Sequence, residues 1–117
     1  MHGHRILTMS RPISISSSLD ASGGDDTATD SAQIQTDAAV LQVENDPAGA
    51  STNVDFHLQA RLDDGVPWAD WITPYTGVGN GETRIDPIDI EGVTDLRVRI
   101  INQDSSGADV AAELETI

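Results

Sequence analysis

A chain of 117 residues fits one domain with a single core, and its lack of cysteine excludes a disulfide framework, a thiolate metal site and a cysteine nucleophile. Twenty acidic residues stand against six basic ones, all of them arginine, which gives a formal net charge of -14. Because phosphate binding needs a basic surface, this charge argues against nucleic acid as a direct partner.

The acidic excess indicates a surface adapted to concentrated salt. In dilute buffer so many carboxylates repel one another, whereas in molar salt the Debye length falls to about 3 Å and the repulsion is screened. Short carboxylates without any lysine are typical of proteins from haloarchaea, and fifteen of the twenty acids are Asp. An ordinary acidic protein from a low-salt environment is the alternative, but it does not explain the missing lysines.

The sequence contains no apolar run of bilayer-spanning length, so we expect no membrane partner. The start, "MHGHRILTMS", lacks the apolar core and the small-residue cleavage site of a signal peptide. His2 and His4 have no further ligand at a spacing that completes a metal site, so we expect no metal there.

Residues 1–33 are predicted to be a polar amino-terminal arm with a short strand at 11–16. The arm is rich in Ser, Gly, Asp and Thr, which form no core by themselves. Its apolar residues Ile13, Ile15 and Leu19 are therefore interface candidates. We expect "RPISIS" to add as a strand to the exposed edge of a neighbouring subunit.

From residue 34 to 117 the sequence predicts short strands separated by turns. The clearest is "NVDFHLQARL", in which Val54, Phe56, Leu58, Ala60 and Leu62 alternate with polar residues and are predicted to face inward. Other predicted strands are "AAVLQVEN", "WADWIT" ending at Pro74, "RIDPIDIEG" with Pro87 at an edge or bulge, "DLRVRIIN" and "ADVAAELETI". "GVGNGE" is predicted to be a hairpin loop.

Seven or eight strands at roughly ten-residue spacing, without an amphipathic helix, predict an all-β fold. We expect an antiparallel β-sandwich of the jelly-roll type. The last segment contains helix-favouring Ala and Glu, but its period of two predicts a closing strand.

Trp68 and Trp71 are the most distinctive side chains, because the chain has only four aromatic residues. A pair of rings can bind a sugar or a protein partner. Since a spacing of three sends strand residues to opposite faces, we expect one ring in the core and the other at a rim or interface. Carbohydrate binding by the pair is the alternative.

No motif predicts catalysis or a cofactor. His57 has no nucleophile motif beside it, and no G-x-S-x-G or phosphate loop occurs. The acidic residues Asp63, Asp64, Glu82 and Asp86 lack the spacing of a calcium loop, so we interpret them as solvated surface. We therefore expect no enzyme activity, no cofactor and no metal.

The stretch "LDDGVPWADW", a glycine-rich loop, "DIEG" and "TDLRVRIINQDSSGADVAAELETI" together resemble β-sandwich proteins of tailed viruses that decorate the capsid, form turrets or belong to the tail. The resemblance covers residues 38–117. Its turn-and-aromatic element matches Asp64, Gly65 and Trp68, and its penultimate strand matches residues 96–99. The chain departs from the pattern at Pro67 and in its polar first third.

Together, the resemblance and the composition predict a virion structural protein of a haloarchaeal tailed virus. It implies a capsid-surface decoration or turret subunit, with a tail or baseplate component as the nearest variant. The implied partners are further copies in a homo-oligomer and the major capsid protein or another virion protein. The alternative from another class is a carbohydrate-binding adhesion module that contacts a host glycan.

Overall fold

In the computed structural model the described residues form an all-β domain. These residues are 13–20, 25–29, 31–33, 38–63, 65–90 and 95–116. They contain nine strands, numbered in chain order: β1 (Ile13–Leu19), β2 (Asp25–Ala28), β3 (Ala32–Gln33), β4 (Ala38–Asp46), β5 (Val54–Arg61), β6 (Ala69–Val78), β7 (Thr83–Asp89), β8 (Asp95–Asn102) and β9 (Ala108–Thr116).

The strands lie in two antiparallel sheets with jelly-roll connections. One sheet, here called sheet A, has the order β1-β9-β4-β7, and the other, sheet B, has the order β2-β8-β5-β6, with the short β3 also paired to β8. The chain passes from one sheet to the other and back, so that the first and last strands pair with each other. The predicted antiparallel β-sandwich of the jelly-roll type is confirmed.

The core lies between the sheets because apolar residues alternate along the central strands. Val54, Phe56 and Leu58 of β5 are fully buried, and Leu96 and Val98 of β8 pack beside them. β9 is a strand, as its period of two predicts, and its Val110, Ala112 and Leu114 are buried in the same way.

The amino-terminal segment differs from the expectation. β1 pairs along its whole length with β9 of the same chain, from Ile13 opposite Leu114 to Leu19 opposite Ala108. Ile13 and Leu19 are buried in the core, and Ile15 packs against it. The side chains of Ile13 and Leu19 are therefore taken up by the core of their own chain, while strand addition to a neighbouring subunit stays a prediction, since β1 is the outer strand of sheet A. Residues 1–12 of the expected arm lie outside the described residues.

The expected domain boundary at residue 33 falls within the sandwich. β1 is an edge strand of sheet A, while β2 and β3 pair with β8 in sheet B. The main-chain N–H and C=O groups at the edge of a sheet need hydrogen-bond partners, and further strands of the same chain provide them. Residues 13–33 thus contribute strands to both sheets.

Three further local expectations need correction. Leu62 does not face inward, since its side chain is 81% exposed beyond the end of β5. β6 does not end at Pro74 but continues to Val78, because register shifts against β5 accommodate the proline. "GVGNGE" does not close a hairpin, since β6 and β7 belong to different sheets. Pro87 does lie in an edge strand, β7, as predicted.

A buried polar network ties the two sheets together at one end. The Asn45 side-chain amide donates to the main-chain carbonyls of Ser51 and Val78, at 2.9 and 3.0 Å. The Ser51 hydroxyl donates to Oδ1 of Asn102 at 2.8 Å, and the Asn102 amide donates to the carbonyl of Asp20. Because Asn45 belongs to sheet A and Asn102 to sheet B, the network holds the connecting loops between the sheets.

Phe56→Ala tests the core assignment. Truncation of this fully buried ring leaves a cavity between the sheets, and we expect a loss of about 3 to 5 kcal/mol in the free energy of unfolding, measured by urea denaturation. Leu62→Ala is the matched control on the same segment, and its exposure predicts a loss below about 0.5 kcal/mol. Equal losses for the two variants would contradict the inward and outward assignment.

Candidate functional site

Most arginines of the described residues lie on the outer face of sheet B. Alternation along β5 and β8 directs the core residues inward and sends Arg61, Arg97 and Arg99 outward. The fourth described arginine, Arg84, belongs to β7 of sheet A. The same alternation and register place Asp26, Asp55, Asp70 and Asp95 on this face, so the arginines lie among carboxylates.

Trp68 lies against two of these arginines. The guanidinium carbons of Arg61 and Arg97 are 4.2 and 4.7 Å from the centre of the indole ring. Arg61 is also held by Asp95, with 2.7 Å between Nε and Oδ2. Cation–π contacts of this kind favour a fixed ring position, so the half-buried Trp68 attaches the β5–β6 connection to the sheet.

A second chain of contacts holds Arg97. Its Nε donates to Oε1 of Gln59 at 2.7 Å, and Nε2 of Gln59 donates to Asp70 at 2.8 Å. Burial lowers the pKa of the Arg97 guanidinium, and the positive charges of Arg99 and Arg61 lower it further. The group nevertheless keeps its positive charge, because arginine is effectively always protonated in proteins.

The end of the β5–β6 hairpin carries exposed apolar side chains. Leu62 is 81% exposed, Val66 39% and Trp71 37%, and these are three of the four exposed large apolar side chains among the described residues. A turn at Asp63 shapes the connection, because its carboxylate accepts a hydrogen bond from Gly65 N at 2.7 Å. We call Leu62, Val66, Trp68 and Trp71 the hairpin end.

The placement of the two tryptophans differs from the expectation. Neither ring is in the core: Trp68 precedes β6 and packs on Arg61 and Arg97, while Trp71 lies on β6 and is exposed. The assumption of regular alternation failed because Trp68 lies outside the strand and β6 has register shifts against β5. Arg61 and Arg97 were missed as site residues, although their outward positions on β5 and β8 were a usable signal.

The predicted acidic residues do not converge. Asp63 caps its own turn, Glu82 accepts from the amide of Gly79, and Asp86 accepts from the Tyr75 hydroxyl at 2.6 Å. Burial is the main cause of a raised pKa of the Tyr75 hydroxyl, and the hydrogen bond to Asp86 raises this pKa further. Asp64 lies outside the described residues, and the described part of the chain has no cluster of three or more His, Asp or Glu able to hold a metal.

His57 is a packing residue of the outer face of sheet B. Its Nδ1 lies 3.0 Å from the hydroxyl of Thr73, and it stands opposite Arg99 in the strand register. Within the described ranges, no helix is long and apolar enough to cross a membrane.

Comparisons with known proteins identify the fold. No protein-family model matches the sequence, and no curated protein gives a significant match. The crystal structure of PirA is 18% identical, with 89% of this chain and 93% of that chain covered and a TM-score of 0.58. At this identity the likeness shows the fold alone.

Two further solved structures share the β-sandwich. A protein of Bacillus endospore appendages, which form disulfide-linked pili, is 13% identical over 92% of this chain and 86% of its own, with a TM-score of 0.55. The Yersinia pseudotuberculosis-derived mitogen is 7% identical over 93% and 87%, with a TM-score of 0.53. A pilus component and a mitogen thus share this fold, so function must be argued from the surface of this chain.

Trp68→Ala tests the arginine contacts. Loss of the ring removes two cation–π contacts and uncovers Arg97, so we expect the free energy of unfolding to fall by about 1 to 3 kcal/mol in urea denaturation. Trp71→Ala is the matched control, because Trp71 is exposed and has no arginine against its ring in the described residues; its loss should be below about 1 kcal/mol. A larger loss for Trp71→Ala would contradict the assignment.

Proposed function

We propose that this chain is a non-enzymatic structural subunit that docks into a larger assembly in concentrated salt through the hairpin end. The observation that carries the proposal is the exposure of Leu62, Val66 and Trp71 along the same hairpin, between strands β5 and β6, whose Trp68 is held by two arginines, on an otherwise acidic protein. Exposed apolar surface of this kind is typical of protein contacts. Trp and Arg are also the residue types that contribute most to binding free energy.

The acidic surface and the hairpin end have complementary roles in this proposal. Carboxylates keep copies apart by repulsion and hydrate the surface exposed to brine. The apolar side chains provide the contact at which association is favoured. Molar salt screens the repulsion between the carboxylates of different copies. Only in that environment do we expect the protein both to stay soluble and to associate through the hairpin end.

In its specific form, the proposal is a decoration or turret subunit on the capsid surface of a haloarchaeal tailed virus. The composition supports the salt environment, and the resemblance of residues 38–117 to virion sandwiches supports the class. The partners would be the major capsid protein or another virion protein, together with further copies in a homo-oligomer. A tail or baseplate component is the nearest variant. One protein of the same fold forms pili, so the fold is compatible with assembly.

A carbohydrate-binding adhesion module is the second candidate, and the exposed ring of Trp71 favours it. Against it, the ring of Trp68 is occupied by Arg61 and Arg97, so the two rings do not offer a free stacking platform together. A host glycan would then have one exposed aromatic ring as its principal contact. The structural role therefore accounts for more of the hairpin end.

Substitution at the hairpin end tests the docking role. In molar NaCl we expect the unmodified chain to sediment as an oligomer and the double variant Leu62→Asp/Trp71→Asp to sediment as a monomer with unchanged secondary structure. Ile85→Asp is the matched control, because Ile85 is 59% exposed but lies on sheet A. It should leave the oligomer intact.

Two results would contradict the docking role. One is a monomeric unmodified chain, or an oligomer that the hairpin variants do not change. The other is specific binding on a glycan array in molar NaCl that disappears with Trp71→Ala, which would favour the adhesion module.

Dialysis tests the salt adaptation. A net charge of -14 is tolerated where the Debye length is about 3 Å, whereas at about 0.1 M it is roughly 10 Å and the carboxylates repel one another. On transfer from molar to about 0.1 M NaCl we expect loss of the near-ultraviolet circular dichroism signal or of the assembly. A melting temperature that stays constant over this range would exclude the halophilic interpretation.

A further inference from the structure

The outer face of sheet A contains an open groove that the proposed docking role does not use. A depression of about 320 Å³ is lined by Val40, Gln42, Ile85, Glu113 and Glu115. A neighbouring depression of about 360 Å³ continues across the same sheet as far as Ile15 of β1. The groove thus runs from the edge strand β1 to the opposite edge strand β7.

The groove combines apolar residues with negative charge. Ile85 is 59% exposed, and Val40 is half-buried beside it. By strand alternation and register, the outward charged residues described on this face are all acidic, and they are Glu44, Asp46, Asp89, Asp109, Glu113 and Glu115. A ligand that fits this face must therefore offer both positive charge and apolar side chains.

The first twelve residues of the same chain have that chemistry. "MHGHRILTMSRP" contains Arg5 and Arg11 and no acidic residue, while all twenty acidic residues follow it. Ile6 and Leu7 lie between the two arginines. The charge of this segment is therefore opposite to that of the groove.

We propose that residues 5–11 bind across the outer face of sheet A of their own chain. The arginines would pair with Glu113 and Glu115, and Ile6 and Leu7 would cover Val40 and Ile85. In molar salt the long-range attraction is screened, so direct ion contacts and apolar burial supply the binding.

The strand order brings the segment within reach of the groove. Ile13 at the start of β1 pairs with Leu114, and Leu114 pairs with Leu41 on its other side, so the chain enters the sheet at the level of the groove. With strands about 4.8 Å apart, β7 lies roughly 15 Å from β1, whereas seven residues can span about 23 Å. A tether this short gives a millimolar effective concentration, which favours the chain's own groove over that of a second copy.

Disulfide trapping in the full chain tests this proposal, since the natural sequence has no cysteine. In Thr8→Cys/Gln42→Cys, with oxidised glutathione added as the oxidant, we expect rapid formation of an intramolecular disulfide, detected as a monomer on a non-reducing gel. The matched control Thr8→Cys/Thr73→Cys places the second thiol at an exposed position of sheet B and should form it slowly. Adding Arg5→Glu and Arg11→Glu to the first pair should slow trapping about fivefold.

Other outcomes would overturn the proposal. Equal trapping on both faces would mean that the segment has no preferred surface. Disulfide-linked dimers would mean that the groove takes the segment of a second copy. As a check without introduced cysteines, Arg5→Glu/Arg11→Glu should shift the methyl resonances of Val40 and Ile85 in solution, while the buried Val54 stays unchanged. Unshifted resonances would also overturn the proposal.

Discussion

The pairing of the first and last strands is the contact on which the rest of the structure depends. β9 lies between β1 and β4, so sheet A is complete only when residues nearly one hundred positions apart in the sequence meet. Closing so long a loop is costly in entropy, and burial of Ile13, Leu19, Val110 and Leu114 offsets it. This pairing also determines where residue 13 enters the fold.

The sandwich confines the outward arginines of the described residues to one face. Arginine alternates outward on β5 and β8, so sheet B carries Arg61, Arg97 and Arg99, while the outward charges described on sheet A are carboxylates. Two ion pairs on sheet B, from Arg61 to Asp95 and from Arg99 to Asp26, together with the outward Asp55 and Asp70, offset the charge of these arginines. Each outer face therefore suits a different partner chemistry.

This separation accounts for a division of roles within so small a domain. The asparagine network closes the sandwich at one end and the hairpin end extends from sheet B, so the proposed docking surface is built on a rigid β-sheet. The groove of sheet A is a separate surface, and the proposed binding of residues 5–11 would cover its apolar residues. Assembly and amino-terminal binding would then be independent, since they use opposite faces.

The alternation of apolar residues determined the fold class, and it also predicted that the last segment is a strand and that Phe56 and Leu58 face inward. These features follow from the sequence because a period of two is a local property of the chain. Only tertiary structure decided where the amino-terminal strand pairs, since both its own β9 and a neighbour's edge satisfy the same hydrogen bonds. The same holds for the tryptophans. The position of Trp71 depends on the register shifts between β6 and β5. The position of Trp68 depends on Arg61 and Arg97, which lie 7 and 29 residues away in the sequence. The contact among these three residues arises because β5 and β8 are neighbours in sheet B, which no local pattern encodes.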